Sequence, residues 1–441
     1  MMKTLESPRP DRVIIFTRYP TPGKTKKRLI PALGPIGAAE LHREMTEKIL
    51  NVVRKAASGK TMDVEVCFDG GTEHRMGCWL GPGLIFSAQV EGDLGERMGT
   101  AFDQAFRKGA NRVVLIGTDI PEACGRHISQ AFDALGHNDL VFGPSIDGGY
   151  WLLGMKGPAD LFHGIPWGTG KVLEKSIAVA REKGLSIHRL ETLTDLDRKE
   201  DLARLMPEWT ERGPYISAII PTLNEANHVQ GAVEGARSDG VEVIVVDGGS
   251  TDNTVALAEN AGARVYSTQP GRAVQQNRGA KLALGSVLLF LHADTVLPGD
   301  YEVQVFETLM DRRIVLGAFR FKTDLDHPMM KGIEALTNFR SRFLGLPYGD
   351  QGLFLRKEVF RQVNGFPRVP IAEDLFFVRK LSCLGRIGIA PGHVVTSARR
   401  WRKVGLLRTT LLNQIIVAGC YLGVPTRKLV PLYKKCPGKS D

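Results

Sequence analysis

Short apolar runs alternate with amphipathic stretches along most of the chain. In the first half, Val13–Thr17, Val64–Phe68, Val113–Ile116, Asp139–Phe142 and Trp151–Met155 read as strands. Gly37–Ala57 and Arg198–Met206 carry helical periodicity. The second half repeats the order. Strands at Tyr215–Pro221, Val241–Asp247 and Val287–His292, with a short one at Val265–Ser267, are separated by helices near Glu225–Arg237, Asn253–Ala261 and Ala273–Leu284. Such alternation predicts a mainly parallel sheet with helices on both faces. Glu211-Arg212-Gly213-Pro214 punctuates the chain between the two runs. The expected organisation is a loosely attached N-terminus over 1–11, a first domain over 12–210 and a second over 211–441. The shared order suggests a duplicated architecture, although no letter-level repeat is visible.

Several of these strands end in acidic groups. In open α/β sheets, ligands bind at the carboxyl ends of the strands. The second half holds three such ends: Pro221-Thr-Leu-Asn224-Glu225, Asp247-Gly248-Gly249-Ser250-Thr251-Asp252, and His292-Ala293-Asp294. The glycines after Asp247 permit a tight turn, and Ser250, Thr251 or Asp252 can cap the next helix. That turn does not itself require Asp247, whose carboxylate can accept hydrogen bonds from a base or ribose. Arg272 and Arg278 suit phosphate oxygens, in fork geometry. Asp294 suits Mg²⁺ or Mn²⁺, which prefer oxygen ligands.

Bulk properties narrow the partners. The chain has 441 residues, 43% hydrophobic and 24% charged, an ordinary globular composition with room for two cores. Its net charge of +10 favours anionic partners such as nucleotides, phosphates or anionic lipid. No interleaved basic and aromatic module points to nucleic acid. Six scattered cysteines read as free thiols in a reducing cytosol. Met1–Asp11 is polar, so no signal peptide is expected. Val404–Val424 is apolar in patches but interrupted by Arg408, Asn413 and Gln414, which argues against a membrane span. Arg399, Arg400, Arg402 and Lys403 precede it. A basic amphipathic helix on an anionic surface is one reading. A helix packed on its own domain is the simpler one. The expected location is the cytoplasm, with peripheral contact at the inner face of the membrane as the alternative.

Taken together, the motifs of residues 215–433 resemble a family 2 glycosyltransferase with the GT-A fold. Both halves are therefore expected to be GT-A domains, the Rossmann-like fold of nucleotide-diphospho-sugar transferases. The resemblance extends to a bacterial subfamily associated with arsenosugar biosynthesis, through Tyr348-Gly-Asp-Gln-Gly-Leu-Phe354 and Ser397-Ala-Arg-Arg-Trp401. It implies inverting transfer from a nucleoside-diphosphate sugar to a small acceptor. By the same likeness, Asp374 is the base with Glu373 beside it, and Asp294 is the metal ligand with His292 sharing ligation. Asp350 and Gln351 line the acceptor or sugar side, and Arg400 and Trp401 clamp the diphosphate. Ser397 stands where related polymer synthases carry Gln, which argues against processive synthesis. Folding is expected to bring Asp247, Asp294 and Asp374 around a single cavity. Transfer to a lipid or carotenoid acid, and a non-catalytic nucleotide-sugar binder, are the alternatives.

In the first half, Phe16-Thr-Arg18-Tyr-Pro-Thr-Pro-Gly-Lys24-Thr-Lys-Lys-Arg28 forms a basic loop able to wrap phosphates. Its spacing is not that of a P-loop. Asp119 ends a strand, Asp147 lies in an acidic turn, and the two can converge on one cation. This half resembles the DUF2064-type domain fused to or neighbouring that glycosyltransferase subfamily. Its layout is similar to the nucleotidyltransferases of molybdopterin and coenzyme F420 synthesis. The likeness implies phosphate contacts from Lys24 and Arg28 and metal at Asp119. The Gly-Gly-x-Ser-x-Arg start of the molybdopterin enzymes is absent, so nucleotidyl and glycosyl transfer both stay open for this half.

Overall fold

The computed structural model describes residues 9–434. They form two compact units that divide between Arg212 and Gly213. Asp11, assigned above to the loose N-terminus, opens a strand instead. Arg112 holds its carboxylate at 2.5 Å.

The first unit holds seven strands: β1 (Asp11–Arg18), β2 (Met62–Asp69), β3 (Ile85–Ala88), β4 (Val113–Gly117), β5 (Leu140–Pro144), β6 (Tyr150–Met155) and β7 (Ile187–Arg189). Across the sheet they run 3-2-1-4-6-5-7, and only β6 is antiparallel to its neighbours.

The second unit holds eight: β8 (Ile216–Thr222), β9 (Val241–Asp247), β10 (Arg264–Ser267), β11 (Val287–Phe290), β12 (Thr295–Val296), β13 (Ile314–Thr323), β14 (Leu353–Arg356) and β15 (Arg386–Thr396). Their order is 10-9-8-11-14-13-15-12. With β12 set aside as an added edge strand, this is the order of the first sheet, and its one antiparallel strand, β14, stands where β6 does. The two units therefore share one topology.

Both faces of the second sheet are covered, because side chains alternate along each strand. Ile216, Ala218 and Ile220 of β8 pack with Val229, Val233 and Val305 from helices on one face. Ile219 packs with Ala280, Phe377 and Leu381 on the other. The candidate site lies at the carboxyl ends of these strands.

No described helix is long and apolar enough to cross a membrane. The C-terminal stretch is three helices, Arg399–Val404, Leu406–Tyr421 and Thr426–Lys434. The stretch read either as one basic amphipathic helix or as a helix packed on its own domain is thus divided. Four of the seven basic residues over 399–433 lie in the first helix, and Leu407, Leu411 and Ile415 lie exposed on the second.

Candidate active site

The loops after β8 and β9 hold each other. Thr222 and Asp247 are register partners at the two strand ends. Asp247 is 2% exposed. Its carboxylate accepts from Thr222 Oγ1 (3.2 Å), Ser250 Oγ (2.5 Å), and the backbone N–H groups of Gly249 and Ser250 (2.8 Å each). Those four bonds fill its acceptor positions. Gly249, at φ 95°, makes the turn possible. Asp247 thus organises its own turn, which corrects the expectation of an open acceptor for a base. Asp252 acts similarly, accepting from the backbone N–H groups of Thr254 and Ala226. Asn224, at φ 51°, accepts from Thr251 N–H at 2.9 Å and donates its own N–H to Ser250 Oγ at 2.8 Å. Pro221 lies half-buried in β8, and Gly248 lies against Gln275.

The acidic groups that do converge come from three segments. His292 and Asp294 follow β11. Glu373 and Asp374 open the helix Glu373–Ser382, after Ala372 turns the chain at φ 61°. A helix N-terminus favours negative charge. Between them sits Gly349, whose N–H donates to Asp374 Oδ2 at 2.8 Å. A side chain there would start 3.1 Å from His292 Nε2 and 3.2 Å from Asp374 Oδ2. Asp374 Oδ1 accepts from Leu375 N–H at 2.8 Å.

Burial raises the pKa of Asp350, Asp294 and Glu373. Burial pushes Asp350 up to about 6, with Asp374 and Asp294 adding to the effect and Arg340 opposing it. Asp350 Oδ1 is buried without a hydrogen-bond partner. Asp294 and Glu373 also move upward, chiefly through burial, against nearby arginines. Burial, then Arg272 and Arg399, push His292 down to about 3, so its imidazole is neutral at pH 7.

Two arginines balance these acids. Arg272 opens the helix Arg272–Leu282, with Nη1 3.9 Å from Glu373 Oε1. Burial opposes its charge, but Tyr433 and the carboxylates Glu373, Asp374 and Asp294 hold it charged. Arg399 grips both oxygens of Glu225, at 2.8 and 2.5 Å, and reaches Asp294 Oδ2 at 3.1 Å. In the sequence Arg399 is indistinguishable from its neighbours Arg400 and Arg402. Only the contact with Glu225 and Asp294 marks it out.

Arg400 stacks at 4.6 Å on Tyr433, the ring that also acts on Arg272, and its Nε and Nη2 are buried without a hydrogen-bond partner. Trp401 packs against Phe321 and donates to Thr410. Gln351 is fully buried and braces Ser341, Tyr348 and Phe319, which leaves nothing to line an acceptor site. Arg278 is exposed, a rotation of about 240° from Arg272 on the same helix. Asp247 lies two strands from Asp294, about 10 Å across the sheet. Asp294 and Asp374 both act on Arg272 and Asp350, while Asp247 stands apart with its acceptor positions filled.

Among the described residues, no cluster of three His, Cys, Asp or Glu is placed to hold a metal ion. Asp294 keeps one carboxylate oxygen that Arg399 does not hold, and His292 is a neutral imidazole. Either donor type suits a divalent cation that completes its shell with diphosphate oxygens and water.

In the first unit the decisive cation is Lys26, not Lys24 or Arg28. Its ammonium lies 3.0 Å from Asp119, 3.1 Å from Asp197 and 2.5 Å from the Leu196 carbonyl. Burial opposes its charge, and the two aspartates hold its pKa above the usual lysine range. Lys24 is exposed, Arg18 pairs with Asp69, and the exposed Arg28 reaches Asp197 at 3.4 Å. Asp147 accepts from Ser145 Oγ and Gly149 N–H within its own turn. Asp119 and Asp147 meet through Asp195, which the sequence reading missed. Burial, then Asp147, Asp119 and Asp197, push Asp195 up to about 7. One oxygen of Asp119, the residue expected to bind metal, is thus held by an internal ammonium, and the side chain stays about half exposed.

The shared topology relates the two arrangements. Asp119 follows β4 as Asp294 follows β11, and Asp197 follows β7 as Arg399 follows β15. Lys26 and Glu225 occupy the loops after β1 and β8. Each unit therefore has a carboxylate–cation–carboxylate bridge across the same three loops, with the cation on a different loop.

The family of glycosyl transferase family 2 matches residues 217–363. The glycosyltransferase AglE of Haloferax volcanii is 32% identical over 240 residues, covering 50% of this chain and 70% of AglE. The chain belongs to glycosyltransferase family 2. A DUF2064 domain, of an uncharacterised family conserved in bacteria, matches residues 52–169 and is fused ahead of the glycosyltransferase domain. A PGL/p-HBAD biosynthesis glycosyltransferase of Mycobacterium bovis is 42% identical over 94 residues, 19% of this chain. That match spans 37% of the mycobacterial protein's own length. Among solved structures, one from Desulfovibrio desulfuricans G20 carries the provisional description nucleotide-diphospho-sugar transferase. It is 35% identical, covers 44% of this chain and 86% of its own, and has a TM-score of 0.41. The mannosyltransferase PcManGT of Pyrobaculum calidifontis, in complex with GDP-Man and Mn²⁺, is 18% identical. It covers 47% of this chain and 65% of its own, at a TM-score of 0.38.

Proposed function

We propose that this family 2 glycosyltransferase moves a sugar from a nucleoside diphosphate to an acceptor hydroxyl with inversion, using Asp374 as base. The observation that supports this reading is the placement of Asp374 against Gly349 and His292, beside the arginine-bridged Asp294. Asp374 takes the proton of the acceptor hydroxyl as its oxygen bonds to the anomeric carbon. The bond from that carbon to the diphosphate breaks, and its electron pair leaves with the nucleoside diphosphate. Arg272 and Arg399 stabilise the charge that collects on the leaving oxygens. A divalent cation bound at Asp294 and His292 would supply further neutralisation of that diphosphate. Glu373 keeps Arg272 in place.

The pathway assignment to arsenosugar synthesis, with a small acceptor, rests on motif likeness. Transfer to a lipid-borne hydroxyl is favoured by exposed apolar helices beside the site, treated below. The presence of Asp294, Glu373 and Asp374 at one site counts against a non-catalytic binder.

The test is Asp374→Asn, assayed with a donor panel that includes GDP-mannose and UDP-GlcNAc. Turnover should fall by a factor on the order of 10² to 10⁴. Donor affinity by calorimetry should stay within about twofold. Unchanged turnover would remove Asp374 as the base.

A further inference from the structure

Ten of the sixteen large apolar side chains that stand exposed in the described chain lie within Met329–Leu344 or Leu407–Leu422. On the helix Pro328–Leu344, Leu336, Phe339 and Phe343 form one outward stripe, exposed by 71, 57 and 65%. On the helix Leu406–Tyr421, Leu407, Leu411 and Ile415 form another, exposed by 72, 62 and 44%. The two helices touch each other. An apolar surface of this extent marks a docking face rather than scattered exposure.

The charge around it has one sign. From residue 399 to 433 there are seven Arg or Lys residues and no carboxylate. Lys403, Arg408, Arg427 and Lys428 are exposed. Arg342 lies beside Phe343, 5.7 Å from its ring centre. The one carboxylate of the Pro328 helix, Glu334, turns inward to bond Thr323. A second copy of this chain would set like charges against like charges. An anionic bilayer complements them and accepts the apolar stripes between its headgroups.

Both helices lead to the proposed base. The first runs on into Tyr348-Gly349-Asp350, and its Arg340 stacks on Tyr348 at 3.5 Å. The second packs Ile416 and Cys420 against Leu375, the neighbour of Asp374. We propose that these two helices dock the protein on an anionic membrane surface, so that the acceptor hydroxyl is presented by an amphiphile held in that bilayer. The acceptor part rests on the transfer reaction proposed above, and the docking part stands without it.

The experiment is flotation of the full chain with vesicles of phosphatidylcholine containing phosphatidylglycerol, against phosphatidylcholine alone, with no donor present. The protein should float with the anionic vesicles only. The bound fraction should fall at least fivefold in the double variant Phe339→Ser/Phe343→Ser, and at 0.5 M salt, where the screening length drops to about 4 Å. Both rings are surface groups, and an unchanged Tm confirms that the variant folds. Absent flotation, or flotation indifferent to the substitutions, would overturn the proposal. So would gel filtration showing a dimer of the unaltered chain that the double variant dissolves, because a second copy would then cover the face. Loss of transfer in Asp374→Asn with flotation intact separates the failure of one reading from that of the other.

Discussion

Arg399 and Glu225 meet fork to fork, at 2.8 and 2.5 Å, from loops 174 residues apart. The same guanidinium reaches Asp294. Arg399→Lys keeps the charge but loses the planar fork. Donor KM is expected to rise about tenfold, a difference near 1.4 kcal/mol, as Asp294 and Glu225 lose their shared partner. Steady-state kinetics against donor concentration checks this, and an unchanged KM would detach Arg399 from the donor.

Gly349 lies against both His292 and Asp374. A methyl group there would lie 3.1 and 3.2 Å from them. Gly349→Ala is expected to lower kcat by about tenfold or more, since small displacements of a reacting group are costly. Thermal melting should change little, because the strain falls on two side chains. Equal loss in Tm and turnover would mark a packing defect instead.

Asp350 titrates at about 6, raised mainly by burial. An acid with a raised folded pKa holds more protons when folded, so stability falls as pH rises from about 4 to 6. Asp350→Asn should therefore melt at a higher temperature than the parent at pH 7, by roughly 1–3 kcal/mol of stability. The gain should vanish at pH 4. Melts at both values decide it.

Lys26 bridges Asp119 and Asp197 with its own side chain only 5% exposed. Lys26→Met leaves two carboxylates facing each other. Both are about half exposed, so the loss should be roughly 2–3 kcal/mol, below that of a fully buried pair. Adding Asp119→Asn should restore part of it. Chemical denaturation of the full chain measures both.

The legible parts of this chain were those that depend on local spacing. Ile216, Ala218 and Ile220 alternate with Ile219, and that alternation is enough to announce a two-faced strand. Asp294 was readable as a carboxylate at a strand end, whereas Glu373 and Asp374, in the first turn of their helix, were marked only by the family resemblance. Arg399 was not readable, since it stands in a run with Arg400 and Arg402 that looks uniform until β15 delivers one of them to Glu225. Lys26 was hidden likewise among Lys24, Lys27 and Arg28. Gln351 looked polar enough for a site, yet its three hydrogen bonds to protein groups bury it completely.

The order of residues thus determined nine of the fifteen strands and the division into two like units, because periodicity and turn residues act over a few positions, while β3, β7 and β12–β15 escaped it. Tertiary structure decided which charge faces which. A guanidinium among several, or an aspartate with all its acceptor positions filled, is chosen by loops that meet only once the sheets have formed, and by the water excluded there. Burial then sets whether each group keeps its charge, and burial is a property of the whole fold.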